Sequence, residues 1–463
     1  MSKLKVALVN VGFEQGEKGI IVSPPLGIMS IGAFLRQNGW EVKIFDWSGE
    51  PLDESMRSAL ASFAPEIVGL TVIIGSSIIR SKAATLWVKD IGAKVVWGGP
   101  FPSALPEMCL RQSKADFVVF GEGEMTMLDL CTSIQEGKPT SEVKGIAYLE
   151  GDELKKSPPR QRVLDLNELP MPWWESILPL DKYLIPFHGR MAIPMVTSRG
   201  CPGTCTFCYT KYMWGYRWTS RSASKVVEEI EHLRRLDPRI GGAIFDDDLF
   251  AGDVERIQEF CAELNEKGLD ILWNCEIRAR DLKEPLVEIM KRGGCVDVLV
   301  GVETGSDRLL ANVLKGVKKS DIIEAFRVIH KVGVSGVAML MVGMPGETIE
   351  DFDDTEKLLE ELKADGYYFS MFLPTPGTEF LQVAKTYGFK EPQTMEEWAV
   401  LGGYGISSYS ERSLSQVPWK RVDRMIKREN RRIRNRNNWQ AVRKDPTGAI
   451  YRGLLGKVGN EKD

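Results

Sequence analysis

The chain has 463 residues, 43% of them hydrophobic, and its 60 basic and 64 acidic residues leave a formal net charge of −4. This length exceeds one ordinary hydrophobic core, so we expect two or three domains. Eight cysteines are too few for a disulfide framework, and no apolar run reaches the length of a membrane span. These features exclude a disulfide-stapled scaffold and a membrane protein, and they favour a cytoplasmic protein in a reducing compartment.

The N-terminal part alternates predicted strands and helices. Residues 1–9 carry a short apolar run that indicates a first strand rather than a secretory signal. Further apolar runs predict strands at 41–45, 67–72, 94–97 and 116–120, and the spacing of apolar residues at 29–37 predicts a helix. This alternation is typical of an α/β fold, and we assign a doubly wound parallel sheet to residues 1–140.

Turns of small residues follow several of these strands. Ligands bind at the carboxyl ends of strands in such sheets, so these turns are candidates for holding a cofactor. The candidate residues are Gly75, Ser76, Gly98, Gly99, Pro100, Gly121, Glu122, Gly123 and Glu124. Any sheet of this class has similar turns, so a nucleotide-binding or vestigial sheet is an alternative.

Three cysteines lie close together beyond a linker at 141–190 that is rich in proline and tryptophan: Cys201, Cys205 and Cys208. A 4Fe-4S cluster normally takes four thiolates, so three thiolates without a nearby fourth would leave one iron open to a small molecule. A structural zinc site is the alternative, but it usually needs a fourth cysteine or histidine at matching spacing. The single cysteines elsewhere are expected to be small buried hydrophobic residues; they are Cys109, Cys131, Cys261, Cys275 and Cys295.

The run from Cys201 to Tyr209 has proline and glycine before its second cysteine and an aromatic residue after its third. It resembles the motif of the radical S-adenosylmethionine superfamily, in which the open iron binds the amino and carboxylate groups of that cofactor. The resemblance implies that Cys201, Cys205 and Cys208 are the catalytic and metal-binding residues and that Tyr209 lies near the adenine. It also implies a low-potential electron donor and an oxygen-sensitive protein.

The middle region repeats a strand–helix unit about six times. Apolar runs predict strands at 195–198, 243–246, 271–275, 298–302, 336–341 and 367–372. Six units cannot close as an eight-unit barrel does, so we predict a partial (β/α)6 barrel over residues 191–390 with one open side. Catalytic residues of such barrels gather at the carboxyl ends of the strands.

Residues at those strand ends match positions that bind S-adenosylmethionine in the superfamily that the sequence resembles. The resemblance implies that Asp246 and Asp248 accept hydrogen bonds from the amino group, although three consecutive aspartates are equally able to start a helix. It implies that Arg278 pairs with the carboxylate and that Glu303 contacts the ribose. Gly343 begins the turn that is expected on the adenine side.

The turns of the N-terminal sheet, followed by a cluster domain, resemble the cobalamin-binding subgroup of the same superfamily. The resemblance, which also includes the run from Pro24 to Ile28, implies cobalamin on the turn residues and on Pro24, Leu26 and Gly27. Many cobalamin proteins carry a histidine below the cobalt, in a loop after the first strand, but residues 10–16 lack one and no histidine precedes His188. We therefore expect side chains of the loop after the third strand, such as Ile73 or Ile74, to face the cobalt.

The resemblance implies a C-methyltransferase that uses a 5′-deoxyadenosyl radical and methylcobalamin to methylate an unactivated carbon. We expect a peptidyl side chain as the substrate, as in methyl-coenzyme M reductase, because an open barrel and a basic tail suit a protein partner. Two alternatives stay open. One is a cobalamin-dependent radical cyclase or oxidase that acts on a tetrapyrrole or lipid without methyl transfer, and the other is an iron–sulfur module that binds nucleic acid.

The C-terminal region, residues 391–463, is predicted to be mainly helical and basic. Between Lys420 and Lys444, eleven basic residues against two acidic ones give a local charge of +9. Such a block is suited to nucleic acid or to an acidic protein surface. We favour a helix that docks on the main body through Val422, Met425, Ile426 and Ile433, because few aromatic residues are interleaved.

Overall fold

A computed structural model describes residues 3–13, 22–402 and 412–436, which form two α/β units and a helical C-terminal region. The first unit contains β1 Lys5–Asn10, α1 Leu26–Gln37, β2 Glu41–Asp46, α2 Glu54–Phe63, β3 Ile67–Thr71, α3 Ser76–Asp90, β4 Lys94–Gly98, α4 Pro100–Ala104, α5 Pro106–Ser113, β5 Phe117–Val119, α6 Glu124–Glu136, β6 Ile146–Glu150 and β7 Glu153–Lys156.

The second unit begins with an edge strand and then alternates strands with helices. It contains β8 Ile185–Phe187, β9 Arg190–Met195, β10 Ser198–Arg199, α7 Thr210–Trp214, β11 Thr219–Ser220, α8 Ala223–Leu236, β12 Ile240–Phe245, α9 Val254–Glu266, β13 Leu272–Ile277, α10 Glu284–Arg292, β14 Cys295–Glu303, α11 Asp307–Asn312, α12 Lys319–Val332, β15 Ser335–Val342, α13 Ile349–Leu362 and β16 Gly366–Met371. The C-terminal region contributes α14 Glu379–Thr386, α15 Met395–Gly402 and α16 Trp419–Arg436.

The first sheet has seven strands in the order β2-β1-β3-β4-β5-β6-β7. Its first five strands are parallel, and β6 and β7 form an antiparallel hairpin at one edge. β1 is buried almost throughout, because helices cover both faces of a parallel sheet. The predicted doubly wound sheet is confirmed, and the hairpin continues it to Lys156, beyond residue 140.

The second sheet has the order β16-β15-β14-β13-β12-β9-β8 and remains open, with β16 at one edge and β8 at the other. Six of its strands are parallel, and only β8 runs antiparallel to its neighbour. The predicted partial barrel of six units is therefore confirmed. Its open side is the gap between the two edge strands.

The first barrel strand differs from its predicted position at 195–198. β9 ends at Met195, and the chain resumes in the short strand β10, which pairs with β11. The break has an identifiable cause, because the buried carboxylate of Asp247 accepts from the backbone N–H groups of Thr197 at 2.5 Å and Ser198 at 2.8 Å. A side chain fifty residues away thus takes the donors that a continuous strand would use.

Aromatic side chains of the linker and of α15 hold the units together. The indole of Trp174 is fully buried and donates to Glu229 on α8 at 2.7 Å. Trp398 on α15 is also fully buried and packs edge-on against Phe101 of the first unit. The C-terminal region therefore covers part of the N-terminal unit.

The basic helix α16 docks on the barrel as predicted. Its apolar positions are buried: Val422, Met425, Ile426 and Ile433. Arg421 on its inner side donates to Glu356 of α13 at 2.7 Å and also pairs with Asp353. Residues 437–444 of the predicted basic block lie outside the described residues. Of the helices that the structure describes, none combines the length and apolar character that crossing a membrane requires.

Candidate cofactor site

A cavity of about 330 Å³ lies where the carboxyl edge of the first sheet faces the mouth of the half-barrel. This volume is in the range of small-molecule sites. The predicted site residues that line it are Leu26, Gly27, Gly98, Gly99, Pro100, Gly121, Glu122, Gly123, Glu124, Tyr209, Asp246 and Asp248. The structure thus brings the predicted turns of the first sheet and part of the predicted barrel site to one space.

Glycine is required where the turn after β4 passes the end of β3. Gly99 has a φ of 101°, and a Cβ there would lie 2.8 Å from the carbonyl oxygen of Val72. Because no side chain fits, the backbone of this turn forms a smooth wall of the cavity. Such a wall suits the close approach of a large planar ligand.

The other predicted residues of the first unit lie at the same edge without lining the cavity. Pro24 is buried just before α1, and Gly75 and Ser76 begin α3. Ile73 is 38% exposed, whereas Ile74 packs against the core. Neither side chain lines the cavity, so the prediction that one of them faces the cobalt stays a prediction.

The three predicted ligand cysteines share one loop between β10 and α7, and their thiols are free and half-buried. A Cβ at Gly203 would lie 3.2 Å from the Sγ atom of Cys201 and 3.9 Å from that of Cys205, so the loop turns around this glycine. Burial raises the pKa of Cys205 to about 11, and Lys315 nearby acts in the opposite direction. The scattered cysteines are buried, as predicted.

Three thiols on one loop fit an iron–sulfur cluster, for which thiolate is the usual ligand. In the described part of the chain, no three His, Cys, Asp or Glu side chains lie close enough to share a single metal ion, these thiols included. In a four-iron cluster each ligated iron takes one thiolate, and three thiolates leave one iron open. A structural zinc site needs a fourth cysteine or histidine, and the loop that carries these three cysteines contains neither. The donor set therefore suits a cluster better than a zinc ion.

The three aspartates after β12 have different roles. Asp247 is buried, fixes the backbone at Thr197, and faces Arg256, so it supports the loop. Asp248 accepts from the backbone of Gly200 at 2.9 Å and from the Tyr209 hydroxyl at 3.1 Å. Asp246 lines the cavity, where its side chain remains exposed.

Arg278 is placed at the end of β13 with a donor to spare. Its Nε donates to Asp281 at 2.5 Å, while its Nη1 is buried and has no hydrogen-bond partner among the described residues. A buried donor without a partner is costly. It is therefore suited to an incoming carboxylate, as predicted for this residue.

Glu303 has a left-handed backbone, with a φ of 63°, at the end of β14. Its carboxylate accepts from the buried ammonium of Lys315 at 2.5 Å. The sequence analysis missed Lys315, because nothing in a run of basic residues marks which one turns inward. Gly343 lies at the end of β15, where its N–H donates to Glu347 at 3.2 Å.

Glu276 on β13 is a second residue that the sequence analysis missed. Burial, followed by the charges of Asp246, Asp248 and Glu303, raises its pKa to about 7. A charged residue inside the apolar strand Leu272–Ile277 is a signal that sequence inspection is able to use. The barrel mouth is thus rich in carboxylates.

Glu122 and Glu124 are predicted cofactor contacts, and in the structure both form ion pairs with Arg199. The distances are 3.1 Å from Glu122 to Nη1 and 2.6 Å from Glu124 to Nη2. Arg199 is another residue that sequence inspection missed, because the pair spans 75 residues or more.

Comparison with known proteins defines the family. Residues 195–359 match the radical SAM superfamily, and residues 22–130 match the B12 binding domain. An uncharacterized methyltransferase of Pyrococcus horikoshii is 32% identical over 393 residues, which cover 83% of this chain and 84% of the relative. The anaerobic magnesium-protoporphyrin IX monomethyl ester cyclase of Rubrivivax gelatinosus is 28% identical over 393 residues, covering 82% and 70%.

Among solved structures, the radical S-adenosylmethionine methyltransferase TsrM from Kitasatospora setae has the same fold, with a TM-score of 0.69 and 19% identity over 84% of this chain and 78% of that one. The chain belongs to the cobalamin-dependent radical S-adenosylmethionine methyltransferase family. It is an enzyme whose cofactors are a 4Fe-4S cluster, S-adenosylmethionine and cobalamin.

Proposed function

We propose that this enzyme methylates an unactivated carbon of a peptidyl side chain. The observation that carries the proposal is a cavity walled by the turns of the first sheet on one side and the barrel mouth on the other. Tyr209, the residue after Cys208, lines this cavity together with the turns of the first sheet, so a substrate carbon held there would lie between the two parts of the site. The cofactors, when bound, supply the radical and the methyl group.

The side chains of the enzyme would bind and orient. Cys201, Cys205 and Cys208 would hold the cluster, and Asp246 and the free Nη1 of Arg278 would hold the two ends of an amino-acid group. Apolar side chains dominate the cavity wall, among them Leu26, Ile31, Leu70, Val96, Val196 and Met213. Such a lining excludes water from reactive species.

The open side of the barrel supports a protein substrate. The sheet ends at β16 instead of closing on β8, and Tyr368 on β16 is 47% exposed. Glu276, whose charge acts on the Tyr368 hydroxyl, lies on the third strand of the barrel, at the same mouth. A side chain carried on a polypeptide can enter from this side without the polypeptide being enclosed.

The test is anaerobic incubation of reconstituted enzyme with methyl-labelled S-adenosylmethionine and candidate peptides, including those of methyl-coenzyme M reductase. We expect a labelled peptide, with 5′-deoxyadenosine and S-adenosylhomocysteine formed in equal amounts. A Cys205→Ser variant serves as the control that lacks one cluster ligand. Equal by-products with a labelled small molecule instead of a peptide would overturn the choice of substrate.

Cyclisation or oxidation without methyl transfer is the second candidate, favoured by the relatives that are named magnesium-protoporphyrin IX monomethyl ester cyclases. The same experiment separates the two. A cyclase forms 5′-deoxyadenosine without a matching amount of S-adenosylhomocysteine, and no label reaches its product.

A further inference from the structure

Arg199 joins the first unit to the barrel directly before the cysteine loop. Its guanidinium donates to Glu124 at 2.6 Å and to Glu122 at 3.1 Å, and both carboxylates belong to the turn after β5. The exposed fractions of the three side chains are 16% for Arg199, 5% for Glu122 and 3% for Glu124. A two-pronged ion pair therefore crosses between the units in a place with little water.

Other segments hold the same carboxylates. The Ser30 hydroxyl of α1 donates to Glu124 at 2.7 Å, and the backbone N–H of Val163 in the linker donates to Glu122 at 2.6 Å. Because each carboxylate also accepts a hydrogen bond from another segment, its position does not depend on Arg199 alone. The turn is therefore a fixed binding point for the Arg199 guanidinium.

The linker also contacts the barrel next to Arg199, through the side chain of Arg162. Arg162 donates to the backbone carbonyls of Trp214 and Arg217, each at 2.8 Å. The guanidinium groups of Arg162 and Arg199 lie 5.5 Å and 5.7 Å from the centre of the Trp214 ring. The indole is therefore held between the linker and β10.

The pair remains charged in its buried setting. Burial opposes charge on Glu124, yet the Arg199 guanidinium beside it holds the pKa of that carboxyl below its usual range. Loss of the guanidinium would leave two buried carboxylates without their counter-ion, which is more costly than loss of an exposed pair.

The backbone between Arg199 and the first cysteine is short and has little conformational freedom. Only Gly200 lies between Arg199 and Cys201, and its N–H donates to Asp248 at 2.9 Å. Gly200 has a φ of 86°, and a Cβ there would lie 2.2 Å from the carbonyl oxygen of Arg217. The backbone is confined at this point, so a shift of Arg199 is passed on to Cys201.

We propose that Arg199 is a positioning residue that fixes the cysteine loop relative to the turn 121–124, and thereby fixes the cluster relative to cobalamin. The proposal rests on the cofactors of the family and is independent of the proposed peptide substrate. Wild-type enzyme that loads both cofactors but methylates no peptide would reject the substrate and leave the test of Arg199 intact.

The first test compares R199M, R199K and the wild type after loading with both cofactors, with the cluster reduced and the cobalt in its paramagnetic Co(II) state. Electron paramagnetic resonance measures the dipolar interaction between the two centres, which weakens with the inverse cube of their separation. We expect R199M to show a changed or broadened interaction and R199K to recover much of the wild-type signal. The control is R421M, which removes an arginine that also pairs with two carboxylates but lies in α16.

The second test uses protein without cofactors, so it reports even if R199M fails to load them. Hydrogen exchange should be faster on the order of tenfold in R199M at 199–201 and should change less at 121–124, which Ser30 and Val163 also hold, while R421M changes exchange only around α16 and α13. A wild-type dipolar interaction in R199M, or unchanged exchange at 199–201, would overturn the proposal.

Discussion

Neighbouring aspartates show how much one position matters at the barrel mouth. Asp247 points inward and accepts three hydrogen bonds from Thr197 and Ser198, whereas Asp246 faces the cavity. The sequence shows three equivalent carboxylates, and only the packing of the strand decides which one turns inward. The alternative that the three aspartates start a helix does not apply to Asp247, because its hydrogen-bond partners lie about fifty residues away.

Asp247→Ala should destabilise the protein, because it leaves two buried backbone N–H groups and one hydroxyl without an acceptor. We expect a loss of about 2–3 kcal/mol, together with lower iron content after reconstitution. Thermal unfolding and iron analysis measure both effects. Asp246→Asn is the matched control, and equal destabilisation by the two variants would contradict the division of roles.

Glu276 predicts a specific dependence of stability on pH. Its folded pKa of about 7 lies above the ordinary glutamate value of 4.5, so the folded state binds more protons in between. The contribution of this carboxyl to stability is therefore full below pH 4.5 and is lost as the pH rises through 7. The neutral side chain of Glu276→Gln does not titrate, so the variant keeps this stability. The difference in free energy of unfolding between the variant and the wild type should therefore grow from pH 4.5 to pH 7 and stay constant above pH 7.

The measurement is the melting temperature of both proteins without cofactors, at several pH values from 4.5 to 8. We expect the variant to gain about 1–2 kcal/mol at the upper end. Glu228→Gln, at an exposed position on α8, serves as the control. A difference that stays constant with pH would show that Glu276 is not desolvated.

At the scale of elements, the alternation of apolar runs was enough to predict both sheets, because parallel strands are buried on both faces and stand out from the amphipathic helices between them. The edges were harder. β8 has only three residues, and the hairpin of β6 and β7 has no helix between its strands, so neither follows the pattern. The first barrel strand was misplaced because a distant side chain ends it.

The helix α16 offers a test of docking. Ile426 is 3% exposed, and Ile426→Asp would bury a carboxylate among apolar side chains. We expect it to release α16 at a cost of about 3 kcal/mol, seen as faster hydrogen exchange and easier proteolysis at the C-terminal end. Arg424→Gln, on the exposed face, should leave both unchanged. Similar behaviour of the two variants would mean that the helix is held by charge alone.

For the whole molecule, the decisive property is that one cavity has walls from two units. The sequence predicts a site at each sheet, but it contains no measure of how the sheets face each other. Contacts such as that between Arg199 and Glu124 join residues too far apart in the chain for any local pattern to reveal. The cysteine motif, by contrast, is local, and sequence inspection found it directly.

Cobalamin binding should therefore stabilise both units together. Adding hydroxocobalamin to cofactor-free protein should raise the melting temperature. At a free ligand concentration of a hundred times Kd, binding should increase the free energy of unfolding by about 2.7 kcal/mol. Hydrogen exchange should slow at 98–100 and 121–124 in the first unit and also at 196–199 in the barrel. Protection confined to the first unit would show that the barrel does not close on the ligand.

The ion pairs between α16 and α13 make the C-terminal helix sensitive to ionic strength. Added electrolyte weakens attraction between partly exposed charges, and the Debye length falls from about 10 Å at 0.1 M salt to about 3 Å at 1 M. Carboxylates of α13 form ion pairs with three arginines of α16, which are Arg421, Arg428 and Arg432. Concentrated buffers should therefore loosen this end of the molecule, whereas its apolar contacts gain from the same salts that are excluded from protein surfaces. The choice of salt, and not only its amount, thus decides how firmly α16 is held on the barrel.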